Sequence, residues 1–198
     1  MSDIHQLPLL SDVAPERSDA ARNRVAILRA TEELIAESGI HAVTMDAVAA
    51  RAGVGKGTLF RRFGSREGLM AAMLNFSEAE WQAEVISGPP PLGPGADPMS
   101  RLLAFGRSRA ERTLRHSDLI SAAGAAANRS YAAYSFTAMH VRYLLGELGV
   151  SGDIPVLATA LLAPLEAPIL AHQVDADGLS LQRIQDGWAE VAHRIVQR

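Results

Sequence analysis

The stretch Thr44 to Phe63, TMDAVAARAGVGKGTLFRRF, leaves its part of the chain little choice of fold. Thr44 is a good N-cap and Asp46 suits the positive end of a helix, so a short helix runs to Ala52 and stops at Gly53. Gly53 stands where the backbone must turn with φ > 0, which costs glycine nothing sterically. Gly55 to Phe63 then reads as a second short helix. Ala49 is small enough for the two helices to touch, and Val48, Val54 and Leu59 supply the core they share. Two short helices crossing at a glycine turn make a helix-turn-helix.

The flanking sequence is helical as well. Apolar residues at Val25, Leu28, Leu34 and Ile35 repeat at helical spacing between Ser18 and Ser38, and Gly39 ends the run. Ser65 caps a fourth helix that is expected to run to about Trp81. From Ser87 to Pro98, five prolines and three glycines forbid a helix and suggest an extended, mobile connector. Beyond it, Met99 to Arg115, Leu119 to Leu148, Ile154 to Gln173 and Leu179 to Val196 each read as one helix, with breaks at Gly149 to Asp153 and Asp175 to Gly178. No strand pattern competes, so the expected fold is all-α. The expected domains are a disordered tail over 1–16, a helix-turn-helix domain over 17–82, and a helical bundle over 83–198.

Composition removes several kinds of chemistry. The chain of 198 residues has no cysteine, which excludes thiol catalysis, zinc-thiolate sites and iron-sulfur clusters. Its six histidines are dispersed, none pairing at i and i+4, so no metal site is expected. Gly53, Gly55 and Gly57 follow a helix and not a strand, which is the wrong context for a dinucleotide loop. No nucleophile elbow appears either, and the expectation is that the chain is not an enzyme and needs no cofactor. Met1 to Glu16 lacks the basic start and apolar run of a signal peptide, so a cytoplasmic location is expected. Ile154 to Ala171 is apolar but short, and Pro155, Pro164, Glu166 and Pro168 interrupt it; a buried helix is expected there, and no membrane partner.

Charge separates one segment from the rest. The chain carries a formal net charge of −3, yet Arg51 to Arg66 holds five cations and no acidic residue. A local cationic strip on an acidic protein fits a DNA-reading element, because phosphate neutralisation is local. Lys56 has the reach to donate to guanine O6 or N7, Thr58 offers a hydroxyl or a methyl, and Arg61 and Arg62 extend to flanking phosphates. Gly57, without a side chain, lets the helix start approach the DNA backbone.

The run Thr44, Val48-Ala49, Ala52-Gly53-Val54, Gly57, Phe60, Phe63, Arg66 and Leu69 resembles the DNA-binding signature of the TetR family of transcriptional repressors. The resemblance covers roughly Arg22 to Trp81. It implies that Thr44 and Arg62 contact phosphates, that Lys56 and Thr58 point into the major groove, and that Arg66 clamps the backbone ahead of the fourth helix. Two positions depart from the usual pattern. Phe60 stands where a tyrosine is common, leaving only ring contact with sugar or a thymine methyl, and Gly55 stands where serine or threonine often caps.

A helix-turn-helix gains affinity by pairing two reading helices one helical turn apart, so a homodimer on double-stranded DNA is expected. In the family the last two helices of each subunit pair as a four-helix bundle; here Leu181, Ile184, Trp188, Val191 and Ile195 share one face of the final helix. The middle helices mix small residues with Phe105, Arg109, His116, Asn128, Tyr131, Tyr134 and His140, and Glu166 interrupts an apolar run. That mixture suits a cavity for a small-molecule effector. The resemblance thus implies a regulator released from a palindromic operator by a ligand. The alternative is a helical adaptor or ligand-binding protein without specific DNA readout.

Overall fold

The computed structural model describes residues 15–124 and 131–197, with side chains described over 21–124 and 135–197. Ten α-helices follow one another among these residues: α1 Pro15–Ser38, α2 Met45–Arg51, α3 Lys56–Phe63, α4 Arg66–Ser87, α5 Pro98–Arg115, α6 Ser117–Ala123, α7 Tyr131–Glu147, α8 Ile154–Leu162, α9 Ala167–Asp175 and α10 Leu181–Val196. No strand occurs among the described residues, in keeping with the all-α expectation. Two compact units divide between Leu69 and Met70, within α4, whereas the expected domain boundary lay further along that helix at 82/83.

In the first unit, α1 buries Ile27, Leu28 and Thr31, and a short 3₁₀ turn over Ile40–Ala42 leads into the helix-turn-helix. The Thr44 hydroxyl oxygen accepts the Ala47 N–H at 3.1 Å, and Gly53 turns the chain at φ 64°. Without that turn α3 would not fold back to bury Leu59 and Phe63 beside Val48 and Ala49. The Arg24 guanidinium lies 5.2 Å from the Phe63 ring centroid and covers its outer side.

The second unit has its own core, centred on Trp81, Leu102, Phe105, Leu144, Leu161 and Trp188. Asp97 caps α5 by accepting the Ser100 N–H at 2.9 Å, and Pro98 occupies its first turn, where a missing N–H costs nothing. Gly106 of α5 packs directly on Trp188 of α10; a Cβ there would stand 2.1 Å from the indole ring. The Trp188 Nε1–H donates to the Leu161 carbonyl at 2.7 Å. That carbonyl precedes a 3₁₀ turn, and the residue three places on, Pro164, has no N–H to offer it.

Several sequence expectations need correction. α1 begins at Pro15, inside the expected tail, whose residues 1–14 lie outside the described residues. α4 continues past Trp81 to Ser87, since nothing before Gly88 and Pro89 stops it and Val85 adds to the core. The proline-rich connector is not extended: the Gly88 and Gly93 N–H groups bond to Glu84 and Pro89 carbonyls, and Leu92 packs on the core. The expected helix Leu119 to Leu148 is divided, α6 ending at Ala123 before α7 begins at Tyr131; alanine-rich composition hid the stop at Gly124. The expected helix Ile154 to Gln173 breaks at Pro164 and Pro168 into α8, the 3₁₀ turn and α9, with a 44° bend. No single described helix is long and apolar enough to cross a membrane, although that bent pair passes by length and composition alone. On α10, Ile184 and Trp188 turn into the unit's own core, and Val191 stays half exposed.

Candidate functional site

α3 sorts its residues by face. Leu59 and Phe63 point inward, Thr58 and Arg62 are half-buried, and Lys56, Gly57, Phe60 and Arg61 are exposed. Phe60 has 42 % of its surface open, so this ring is not a core anchor. Nothing lies within 4 Å of where a Gly57 side chain would begin, which leaves its backbone open to a close approach from outside. α3 has Gly55 as its N-cap and no side-chain cap bond, so its leading N–H groups are not taken by a cap.

The cationic strip is less free than the sequence suggests. Arg51 pairs with Glu37 and Glu33 across the helices, and its guanidinium holds the Glu37 carboxyl below the usual range. Lys56 Nζ sits 2.6 Å from Asp46 of α2, with both side chains well exposed. The Arg61 Nη2 donates to the Thr58 hydroxyl at 3.1 Å. Arg66, expected at the DNA backbone, donates instead from Nε to the Val43 carbonyl and from Nη2 to the Ile40 carbonyl, both at 2.7 Å. It thereby ties α4 to the loop that introduces α2.

The candidate effector residues do not all meet. Phe105, Arg109 and His140 come together in the second unit, joined by Trp81 and Phe136. Phe105 is fully buried, its ring centroid 5.2 Å from Trp81 and 5.1 Å from His140. Arg109 is buried too, lies 5.2 Å from the Trp81 ring, and pairs with Glu78 at 2.9 Å. His116 bonds to the Ser77 hydroxyl at 3.1 Å and, through Nδ1, to the Arg112 carbonyl; burial lowers its pKa. Burial also pushes His140 down to about 4, and the Arg101 charge adds to the effect. Glu166 stands apart at the bend before α9, where its carbonyl accepts the Ile169 and Leu170 N–H groups. Asn128 lies outside the described residues, as do the side chains of Tyr131 and Tyr134.

Sequence reasoning missed the α4 contribution, Ser77, Glu78 and Trp81. Its signal was a tryptophan one turn after a serine and a glutamate on the same helix. A separate apolar hollow of about 290 Å³ opens on α8 and α10, lined by Leu161, Pro164, Leu179, Gly187, Trp188 and Val191 among others.

An open, cationic second helix in a helix-turn-helix, followed by an all-helical second unit, defines a helix-turn-helix DNA-binding regulator. Residues 27–73 match the model of the bacterial regulatory proteins, tetR family. Solved structures agree in fold. A TetR transcription regulator from Haloarcula marismortui is 15 % identical with a TM-score of 0.64, covering 88 % of this chain and 98 % of that one. The TetR-family repressor FadR of Thermus thermophilus, solved with lauroyl-CoA, is 20 % identical with a TM-score of 0.56, covering 85 % and 92 %. A transcriptional regulator from Saccharomonospora viridis, solved with choline, is 22 % identical with a TM-score of 0.58, covering 90 % and 100 %. No curated protein matches the chain. Residues 27–73 thus carry the tetR-family segment, and the chain as a whole shares the fold of these solved structures.

Proposed function

We propose that this protein is a cytoplasmic homodimeric repressor that binds a palindromic operator through α3 and leaves it when a small molecule enters the second unit. The observation that carries this reading is the outward side of α3, where the uncovered Gly57 backbone is flanked by Lys56, Phe60 and Arg61. A helix start of this kind enters a major groove with its leading N–H groups toward a phosphate. Lys56 reads a base edge, Thr58 and Phe60 meet sugar or a thymine methyl, and Arg61 and Arg62 reach flanking phosphates. Thr44 accepts one hydrogen bond as a cap and keeps its own O–H for a phosphate. Arg66, its donors given to carbonyls, acts as a brace for this surface.

Pairing through α8 and α10 is favoured by the apolar hollow there and by half-exposed Val156 and Val191. A small-molecule effector is favoured by the mixed aromatic and cationic interior of the second unit, and by relatives of the same fold solved with lauroyl-CoA and with choline. Coupling follows if the ligand favours a spacing of the two α3 helices that no longer fits successive grooves.

Selection of bound duplexes from a random pool tests the reading. A palindromic sequence should emerge, Arg62→Ala should weaken all sequences alike, and Lys56→Ala should relax preference at particular bases by about 1–3 kcal/mol. Recovery of no preferred sequence, or an unaltered preference in Lys56→Ala, would support the adaptor alternative.

A further inference from the structure

α5 turns Arg101, Phe105, Arg109 and Arg112 to one side, at i, i+4, i+8 and i+11. That side meets Ser77, Glu78 and Trp81 of α4, and Phe105 meets His140 of α7. Arg109 has its counter-charge, with both Glu78 oxygens on Nη1 at 2.9 and 3.2 Å. Arg112 is held by the Ser77 hydroxyl, and burial disfavours its charge. Neither Arg101 nor Arg112 has a carboxylate within ion-pair distance among the described residues. Along this half-buried stripe three guanidiniums face Glu78, and the exposed Glu84 adds a second carboxylate toward Arg112.

Two nitrogen atoms at one end of this stripe are sealed from solvent and have no hydrogen-bond partner: Nε of Arg101 and Nε2 of His140. Phe105 links them. It follows Arg101 by one turn, its ring lies 5.1 Å from His140, and Phe136 stacks on His140 within 10° of parallel. Buried nitrogens of this kind are rarely left unmet, and a guanidinium is met best by an anion.

Taking the effector reading above as its premise, we infer that this corner receives the head group of an organic anion, a carboxylate on an apolar body. Arg101 Nε–H and His140 Nε2–H donate to the carboxylate oxygens, and the rings of Phe105 and Phe136 receive the body. With a pKa of about 4 the imidazole enters uncharged, so it has one N–H to give and adds no second charge to the corner. A cationic ligand would face the Arg101 guanidinium, and a neutral one would leave its sealed Nε–H without a charged acceptor.

Thermal denaturation of the full chain tests this with two sets of compounds that differ only in head group. One set is 2-naphthoate, 2-naphthalenemethanol and 2-naphthylmethylammonium; the other is decanoate, decanol and decylammonium. At millimolar concentration at least one carboxylate should raise Tm by a few degrees, with smaller or no shifts from its alcohol and ammonium partners. Arg101→Met should abolish the shift, and His140→Phe, which keeps the ring stack but lacks Nε2, should reduce it. Arg107→Met, on the exposed side of α5, should keep it. Equal shifts across head groups, no shift from either carboxylate, or a shift that survives both Arg101→Met and His140→Phe would overturn the assignment. Retention of selected DNA is measured in parallel. An anion that binds at Arg101 yet leaves DNA bound removes the effector reading alone. DNA release by uncharged compounds, with no shift from either carboxylate, removes the anion site alone.

Discussion

α3 and α5 both carry several cationic side chains, and the protein treats them in opposite ways. On α3, Lys56 and Arg61 stand in solvent, and the partner of Lys56, Asp46, is as exposed as the lysine itself. On α5, Arg109 is buried and pairs with a Glu78 that is itself largely withdrawn from water. An exposed pair is screened and contributes little to folding, so its cation is available to a polyanion. A buried guanidinium has lost its hydration and depends on whatever meets it inside. The same kind of charge is therefore left open to solvent in one unit and closed against a carboxylate in the other.

The largest effect should come from breaking the buried pair. Glu78→Ala leaves the Arg109 charge in the core beside Trp81, and should cost about 3–5 kcal/mol of stability by urea denaturation. Glu37→Ala removes the exposed partner of Arg51 and should leave the urea midpoint unchanged. Similar losses in both variants would erase the contrast between the buried and the exposed ion pair.

Arg66 comes next. Its two bonds to the Val43 and Ile40 carbonyls are charge-assisted, so Arg66→Met should destabilise the N-terminal unit by about 2 kcal/mol. The same variant should weaken binding to all DNA sequences without changing preference, as a brace predicts. Loss of DNA binding with full stability would return Arg66 to the phosphate contact that the resemblance implies.

A smaller effect is the dependence on pH. The folded pKa values of His140, at about 4, and of His116 lie below the unfolded value of 6.5. Between those limits the unfolded chain takes up protons that the native state refuses. Stability is therefore complete above about pH 6.5 and declines as pH falls toward 4. His140→Phe should lessen the drop in urea midpoint between pH 7 and pH 5 and leave the His116 share. An unchanged drop would mean that His140 is hydrated, contrary to its place in the ring stack. Glu37 and Asp97, whose pKa values are lowered from 4.5 and 3.8, act in the same direction but only toward the acid end of that window and below it.

The helix-turn-helix was legible because its constraints are local. Thr44, Ala49 and Gly53 are each tied to a neighbour a few residues away, and the backbone bears this out at the Thr44 cap and the Gly53 turn. The cationic strip was legible only in composition. Its partners Glu37, Asp46 and the Ile40 carbonyl come from other elements, and no count within Arg51 to Arg66 includes them. The α5 interior was half legible: Phe105, Arg109 and His140 drew notice as polar and aromatic residues among alanines. Their meeting with Glu78 and Trp81 depends on packing between helices far apart in sequence. The bend at Pro164 was foreseeable from proline chemistry and was outweighed by a continuous apolar run.

Asp46 gives the smallest change in stability and the sharpest test of α3. Its carboxylate holds Lys56 Nζ at 2.6 Å on the side of the helix-turn-helix where phosphates would arrive. Asp46→Asn should leave the urea midpoint where it is, because both side chains are exposed and the pair is screened. It also removes a negative charge from the surface and frees an ammonium that DNA would otherwise have to win from its partner. Affinity for random-sequence duplex should therefore rise severalfold at low salt, and the slope of log K against log salt should steepen by about one. Preference between the selected palindrome and random sequence should fall, since the gain is made with any phosphate. An affinity for random duplex that stays constant across salt concentrations in both proteins would mean that Lys56 never nears DNA, and the exposed cations of α3 would be solubilising charge and nothing more.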